Sequence, residues 1–361
     1  MLIILLHVFF VLKNNVIIGG NSAIHQHCIV GQNSMISAGV IVVNNIIPYA
    51  LFGRNGKING VNIIGLKRQG FTNDKIISIK ENYKIIHCAE EIKDKDSVRD
   101  AIRTGKETSM WKAIDSVKNL ESDLIISSGN TGALLVISKL IIKMMDGIDK
   151  PAIAGLWPNL KKTSVVLDLG ANIEFNEKNY LDFSKIAAEL YRVIFDEANP
   201  SVGLLNVGSE EIKGHETLKN AFAQLSEAKN NFIFKGYVEG NQIKDGNVDV
   251  IVTDGFSGNI ALKTAEGTAN YITTEIKNIF SNSFFGKICY LFSFPIFKKI
   301  KNTLDPRKYN GGIFLGLNAP VIKSHGGADA LAFYYSIKLS AKILRGKLIS
   351  RIQENFRDQN G

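Results

Sequence analysis

Residues 248–267 read VDVIVTDGFSGNIALKTAEG. Val248 to Thr253 is a run of β-branched residues broken only by Asp249. Such a run suits a strand buried on both faces. Asp254 and Gly255 end it, and Gly258 and Asn259 open a helical stretch. A strand, a Gly-containing turn and a helix form the repeating unit of a parallel sheet with helices on both faces. The unit recurs along the chain. Leu124–Ser127 reads as a strand with a helix over Ala133–Met145. Val165–Leu169 is a strand ahead of a helix over Leu181–Phe195. Val202–Asn206 is another strand, and Val321–Lys323 is the last, before a helix over Ala328–Leu344. The alternation predicts an α/β domain over residues 87–361, with three αβα layers and a mainly parallel sheet.

The turns after these strands carry polar chemistry. SSGNTGA (Ser127–Ala133) sets Gly129, Asn130, Thr131 and Gly132 between strand and helix. LDLGANIEF places Asp168, Gly170 and Asn172 at a second strand end. LLNVGSEEIKGHE offers Asn206, Gly208 and Lys213. The opening stretch offers Asp254, Gly258, Asn259 and Lys263, and VIKSHGGADA offers Lys323, Ser324 and His325. In any one turn, Gly and Asn are ordinary turn and cap residues. Five such turns on one sheet are expected to converge on the carboxyl edge and share a polar pocket. No GxGxxG or GxxxxGK[ST] is present, so a standard dinucleotide or P-loop site is not indicated. Amides, Asn and Lys suit an oxyanion or a phosphate.

Upstream the rule changes. An apolar residue recurs every six positions at Leu6, Leu12, Ile18, Ile24, Val30, Ile36 and Val42. That period marks hexapeptide coils of a β-helix. Residues 1–50 are therefore expected to form a short left-handed β-helix fragment, and residues 51–86 a connecting segment with a helix. Met1 to Leu12 lacks the basic start and cleavage site of a signal peptide, and reads as buried strand. The motifs Ile18-Gly19-Gly20, Ile24-His25-Gln26, Pro48-Tyr49 and Gly65-Leu66-Lys67-Arg68 resemble the late coils and exit of UDP-N-acetylglucosamine acyltransferases. The resemblance runs to Glu81-Asn82-Tyr83-Lys84. In that family the catalytic His lies in an earlier coil, and His25 and Gln26 match positions near the acyl chain.

The downstream strings are more specific. SSGNTGALL, LDLGAN, GLLNVGSEEIKG, GYVEGNQIKDGNVDVIVTDGFSGNIALKTAEG and GLNAPVIKSHGGADA closely resemble bacterial phosphate acyltransferases over about residues 86–350. The resemblance implies transfer of a fatty acyl group from acyl carrier protein to inorganic phosphate, giving acyl phosphate for phospholipid synthesis. It implies no metal or cofactor, because no bond to phosphorus breaks. Phosphate would then be held by Gly129–Gly132, Lys213, Lys263 and Lys323. Asn130, Asn172 or Asn259 would stabilise the thioester oxyanion. His325 reads either as general acid or base, or as a hydrogen-bonded structural residue. Asp168 and Asp254 read as holders of amides and loops. In that family a strand and a DAMGGD-type turn come first; here the coil segment stands in their place, and the two resemblances meet near Tyr83–His87. Alternative readings are a joined chain that only binds acyl carrier protein or membrane, and a remnant of the sugar-nucleotide acyltransferase.

Charge and cysteines narrow the partners. The chain has 361 residues and a formal charge of +9, with 43 Lys+Arg against 34 Asp+Glu. The positive excess lies in residues 1–86 and 281–308, while the remainder is slightly acidic, so nucleic acid is not expected as a partner. Cys28, Cys88 and Cys289 lie far apart, which fits a reducing cytoplasm and no structural zinc. Residues 281–308 read SNSFFGKICYLFSFPIFKKIKNTLDPRK. Phe285, Leu291, Phe292 and Phe294 precede Lys298 and Lys299, the pattern of an element dipping into an anionic membrane surface. The family resemblance implies the same peripheral membrane association, and a homodimer.

Overall fold

The computed structural model describes residues 11–357 except 13, 25–27, 44–45, 47, 75, 77–85, 87, 89, 94, 229–230, 283–284, 287–289, 291 and 296–304. His25, Gln26, most of the Tyr83–His87 junction, Leu291, Lys298 and Lys299 fall outside the described residues. The chain divides into two compact units, Met1–His87 and Cys88–Gly361.

The first unit is a stack of coils. Its strands β1 (Val11–Leu12), β2 (Ile17–Ile18), β3 (Ala23–Ile24), β4 (Ile29–Val30), β5 (Met35–Ile36) and β6 (Ile41–Val42) are two residues each. β1 pairs with β4, β2 with β5 and β3 with β6, all parallel. Each partner lies three hexads along the chain, so one coil has three sides. Val30, Ile36 and Val42 are fully buried between the sides. The corners need left-handed backbone, and Asn15 (φ 59°) and Asn33 (φ 59°) supply it in successive coils. Asn adopts that conformation more readily than most residues, and Asn15 Nδ2 donates to Asn33 Oδ1 of the next coil at 3.1 Å. β7 (Ala50–Phe52) extends the β2–β5 sheet, and β8 (Ile58–Val61) closes it antiparallel. A helix, Ile63–Arg68, follows, capped by Asn62.

The second unit is built on one eight-stranded sheet. In chain order its strands are β9 (Ile125–Ser127), β10 (Ala152–Pro158), β11 (Thr163–Leu167), β12 (Ser201–Asn206), β13 (Ile233–Glu239), β14 (Val250–Val252), β15 (Gly312–Leu315) and β16 (Val321–Lys323). Their spatial order is β13-β12-β14-β11-β10-β15-β16-β9. The pairings β13–β12, β12–β14, β14–β11 and β16–β9 are parallel. Those of β10 with β11, β10 with β15, and β15 with β16 are antiparallel. The sheet is thus mostly parallel, with a reversal at its centre.

Alternate residues of each strand enter different layers, as the two-residue strand period requires. Val165, Leu167, Val202, Leu204, Val250 and Val252 pack on one face. There they meet Tyr180, Phe183, Ile186 and Leu190 of the helix Glu177–Phe195, together with the helices Glu216–Glu227, Ala330–Arg345 and Leu348–Arg357. On the other face Ile125, Phe314 and Val321 pack against the helices Ser109–Lys118 and Thr131–Ile141, and Val166 and Ile251 pack against Ile243. The helix Glu177–Phe195 opens with a capping box in which Asn176 and Asn179 bond reciprocally. The helix Gly255–Ser281 is different: its only buried residues are Gly255 and Gly258.

Asp249 ties the amino ends of the central strands. Its carboxylate pairs with Lys162 and accepts hydrogen bonds from Ser201 N at 2.8 Å and Ser201 Oγ at 2.5 Å. Burial works against the charge, yet Lys162 and Ser201 hold the carboxyl below its ordinary range. A depressed carboxylate contributes stability above the ordinary Asp value of about 3.9 and loses it as pH falls through the folded value. Asp249→Asn is expected to flatten the acid limb of the denaturation midpoint against pH and to lower stability at neutral pH. An unchanged acid limb would place the acid sensitivity elsewhere.

Candidate active site

The five turns do not meet at one edge. An odd number of antiparallel pairings, three, separates β11 from β16, so β9 and β16 run opposite to β11, β12, β13 and β14. The turns after β11, β12 and β14 leave the sheet in one direction, and those after β9 and β16 in the other. The expectation of a single shared edge is corrected accordingly, and the reason is the central pair β10 and β15.

In the first group, Asp168 is fully buried. Its Oδ1 accepts from the backbone N of Ile153, Gly170 and Ala171 at 2.9, 3.2 and 2.9 Å, and its Oδ2 from Asn172 N at 2.8 Å. Asn172 Nδ2 also donates to Asp168 Oδ2 at 2.8 Å and to Pro151 O at 2.6 Å. Both hydrogens of the Asn172 amide are thereby engaged inside the loop, which gives it a loop-holding role. Burial raises the Asp168 carboxyl above its ordinary range, while the N–H donors from Ala171, Ile153 and Asn172 pull against that rise. Asp168 therefore organises amides.

The turn after β14 is pressed against this loop. Gly255 N donates to Asn172 O at 2.8 Å. A Cβ at Gly255 would lie 2.3 Å from that same oxygen, and one at Gly258 would lie 2.0 Å from Asp168 O. Only glycine permits this approach. Asp254 caps the helix Gly255–Ser281 by accepting from Ser257 N at 2.8 Å. Asn259 is exposed and stands against Gly170, whose φ is +125°. Lys263, one turn further along the helix, is paired with Glu266 at 2.7 Å. After β12, Asn206 Nδ2 donates to Lys213 O at 3.1 Å, which folds the loop back and leaves Lys213 exposed. Tyr180 lies behind Asp254; burial and then the charge of Asp254 raise its phenol. The sequence reading did not single Tyr180 out, because it looks like any aromatic on an apolar helix face.

In the second group, Ser324 N donates to Ser127 O at 2.9 Å, carrying the β9–β16 pairing into the turns. Gly129 N donates to Ser127 Oγ at 3.2 Å, and Asn130 caps the helix Thr131–Ile141 through Ala133 N at 3.0 Å. Thr131 and Gly132 form the first helical turn. Lys323 Nζ bonds Ser324 O. His325 is exposed, and its Nδ1 accepts from Gly327 N at 3.1 Å. Asn310, absent from the sequence reading, touches both Ser324 and His325. Among the described residues no cluster of His, Cys, Asp and Glu is placed to hold a metal.

Comparison with known proteins gives four findings. Residues 69–351 match the family described as "Fatty acid synthesis protein". A phosphate acyltransferase of Pelagibacter ubique is 54% identical over 276 residues, covering 76% of this chain and 83% of that protein. A phosphotransacetylase structure from Streptococcus pyogenes matches with a TM-score of 0.49 and 19% identity, over 80% of this chain and 83% of that one. A UDP-N-acetylglucosamine acyltransferase structure from Bacteroides fragilis is 34% identical over 26% of this chain and 37% of that one, with a TM-score of 0.21.

Asp168→Asn keeps the shape but points an NH2 group at N–H donors. It is expected to lower stability by about 1–3 kcal/mol. Denaturant titration would check this. Unchanged stability would remove the anchoring role.

Proposed function

Because the chain belongs to the phosphate acyltransferase family, we propose that this acyltransferase moves a fatty acyl group from acyl carrier protein to inorganic phosphate, making acyl phosphate for phospholipid synthesis. The observation that carries the reading is the second group of turns. It combines the N–H groups of Thr131 and Gly132 with the Lys323 ammonium and the exposed His325 ring around one strand pair. Amide donors and a cation suit phosphate.

In the proposed step an oxygen of hydrogenphosphate bonds to the thioester carbon. The carbon–sulfur bond breaks, and the proton carried by phosphate ends on the carrier thiol. Phosphate is already an anionic nucleophile, so no catalytic base is required. The Nε2–H of His325 is a donor for the charge that develops on the carbonyl oxygen. The helix Gly255–Ser281 exposes Ile272, Ile276 and Ile279 on one side, which supports a second copy of the chain as partner.

Purified protein given acyl carrier protein thioester and phosphate is expected to release one carrier thiol for each acyl phosphate trapped with hydroxylamine, with a rate that rises and saturates with phosphate. Thiol release without phosphate dependence would make the protein a thioesterase and overturn the reading.

A peripheral membrane role belongs to the same proposal. Phe285, Phe292 and Phe294 are 75%, 81% and 50% exposed. Among the described residues no helix is long and apolar enough to cross a membrane. Exposed aromatics beside Lys-rich sequence support an interfacial contact. Replacing Phe292 and Phe294 with Glu is expected to abolish sedimentation with phosphatidylglycerol vesicles. Undiminished sedimentation would make the segment structural.

A further inference from the structure

Asn310 sits between the short helical turn Pro306–Tyr309 and β15. Its Nδ2 lies 2.8 Å from Ser324 Oγ, 2.9 Å from Ala332 O and 3.0 Å from Ser336 Oγ. Its Oδ1 accepts from His325 N at 3.0 Å. One side chain thus joins the end of β16, the His325 turn and the first turns of the helix Ala330–Arg345. The far end of the turn is also gripped. Asp329 caps that helix through Ala332 N at 2.9 Å, and Arg307 donates to Asp329 at 2.8 Å while holding the buried Asp305. The segment from Ser324 to Asp329, which includes Gly326 and Gly327, is therefore fixed at both ends by residues outside it.

The orientation of the ring follows from that turn. Gly327 N occupies His325 Nδ1, so the neutral imidazole carries its proton on Nε2. Among the described residues Nε2 has no partner. A shift of the backbone at His325 would lose the Gly327 bond and free the ring to rotate and change tautomer.

We propose that Asn310 is a positioning residue for acyl transfer: by accepting from His325 N and bonding Ser324, it fixes the turn that presents His325 Nε2–H to the reacting carbonyl. The inference rests on the reading that His325 acts in acyl transfer. Its action is indirect, so its effect should exist only while the ring is there to be positioned.

A double-mutant cycle tests this. His325→Ala is expected to lower kcat about a hundredfold, with His325→Gln recovering part of the loss through its own N–H donor. Asn310→Ala is expected to lower kcat at least about tenfold in the wild-type background, with the KM for phosphate nearly unchanged. In the His325→Ala background the same change should have almost no effect on kcat. An equal loss in both backgrounds overturns the positioning role and leaves the His325 reading intact. Unaltered turnover in His325→Ala overturns both. Asn310→Asp keeps the acceptor for His325 N and loses the donor to Ala332 O. It covers the case in which Asn310→Ala does not fold: turnover should hold while the melting temperature falls, and a turnover loss that tracks the melting temperature also overturns the proposal.

Discussion

Between β11 and β16 the sheet crosses two strands, β10 and β15, and every pairing on the way is antiparallel. Ala154 faces Leu167 on one side and Ile313 on the other, and Ile313 faces Ile322. These residues are all fully buried or nearly so, so the register cannot slip by one residue without turning each strand's apolar set to the wrong layer. That fixed register decides which turns can be neighbours. The loops after β11 and β14 come together because their strands are parallel and adjacent. The loops after β9 and β16 come together for the same reason, at the other polarity.

Each group is then assembled around one polar side chain that meets several partners. Asp168 gathers amides from the loop that follows it and from the neighbouring strand β10. Asn310 gathers the turn after β16 and the helix beyond it. The two differ in cost. A buried carboxylate loses hydration, which its raised pKa records, and it is tolerated because five N–H donors face it. An amide carries no charge to desolvate, so Asn310 can stand half-buried beside an exposed imidazole. Buried polar groups of this kind hold a unique arrangement only when all their bonds are made, and both residues meet that condition.

Much of this was legible in the sequence. The strands ending at Ser127, Asn206 and Lys323 lie where their apolar runs stop before Gly and Asn, because burial on both faces leaves an uninterrupted apolar signature. The coil period was equally plain, since three hexads make one turn. β10, β13 and β15 were not read. Gly155 and Pro158 interrupt β10, Lys235 and Gly236 interrupt β13, and β15 is four residues between glycines. Strand direction was not legible at all, being a property of pairing between distant segments. Without it, all five turns point to one edge. Asn172 shows the same limit on a smaller scale: its type suits an oxyanion, but its partners Pro151 and Asp168 decide its work.

The helix Gly255–Ser281 starts at the Asp168 loop. Its first turn is locked by Gly255 and Gly258 against the Asp168 loop, yet among the described residues no other position along it is fully buried. Twenty-seven residues span roughly 40 Å at about 1.5 Å per residue, so the helix reaches well away from the sheet. An isolated helix of that composition, with Ile272, Ile276 and Ile279 exposed, gains little from propensity alone, since helices in proteins draw most of their stability from packing an apolar face. Among the described residues, Ile272, Ile276 and Ile279 are thus left to solvent.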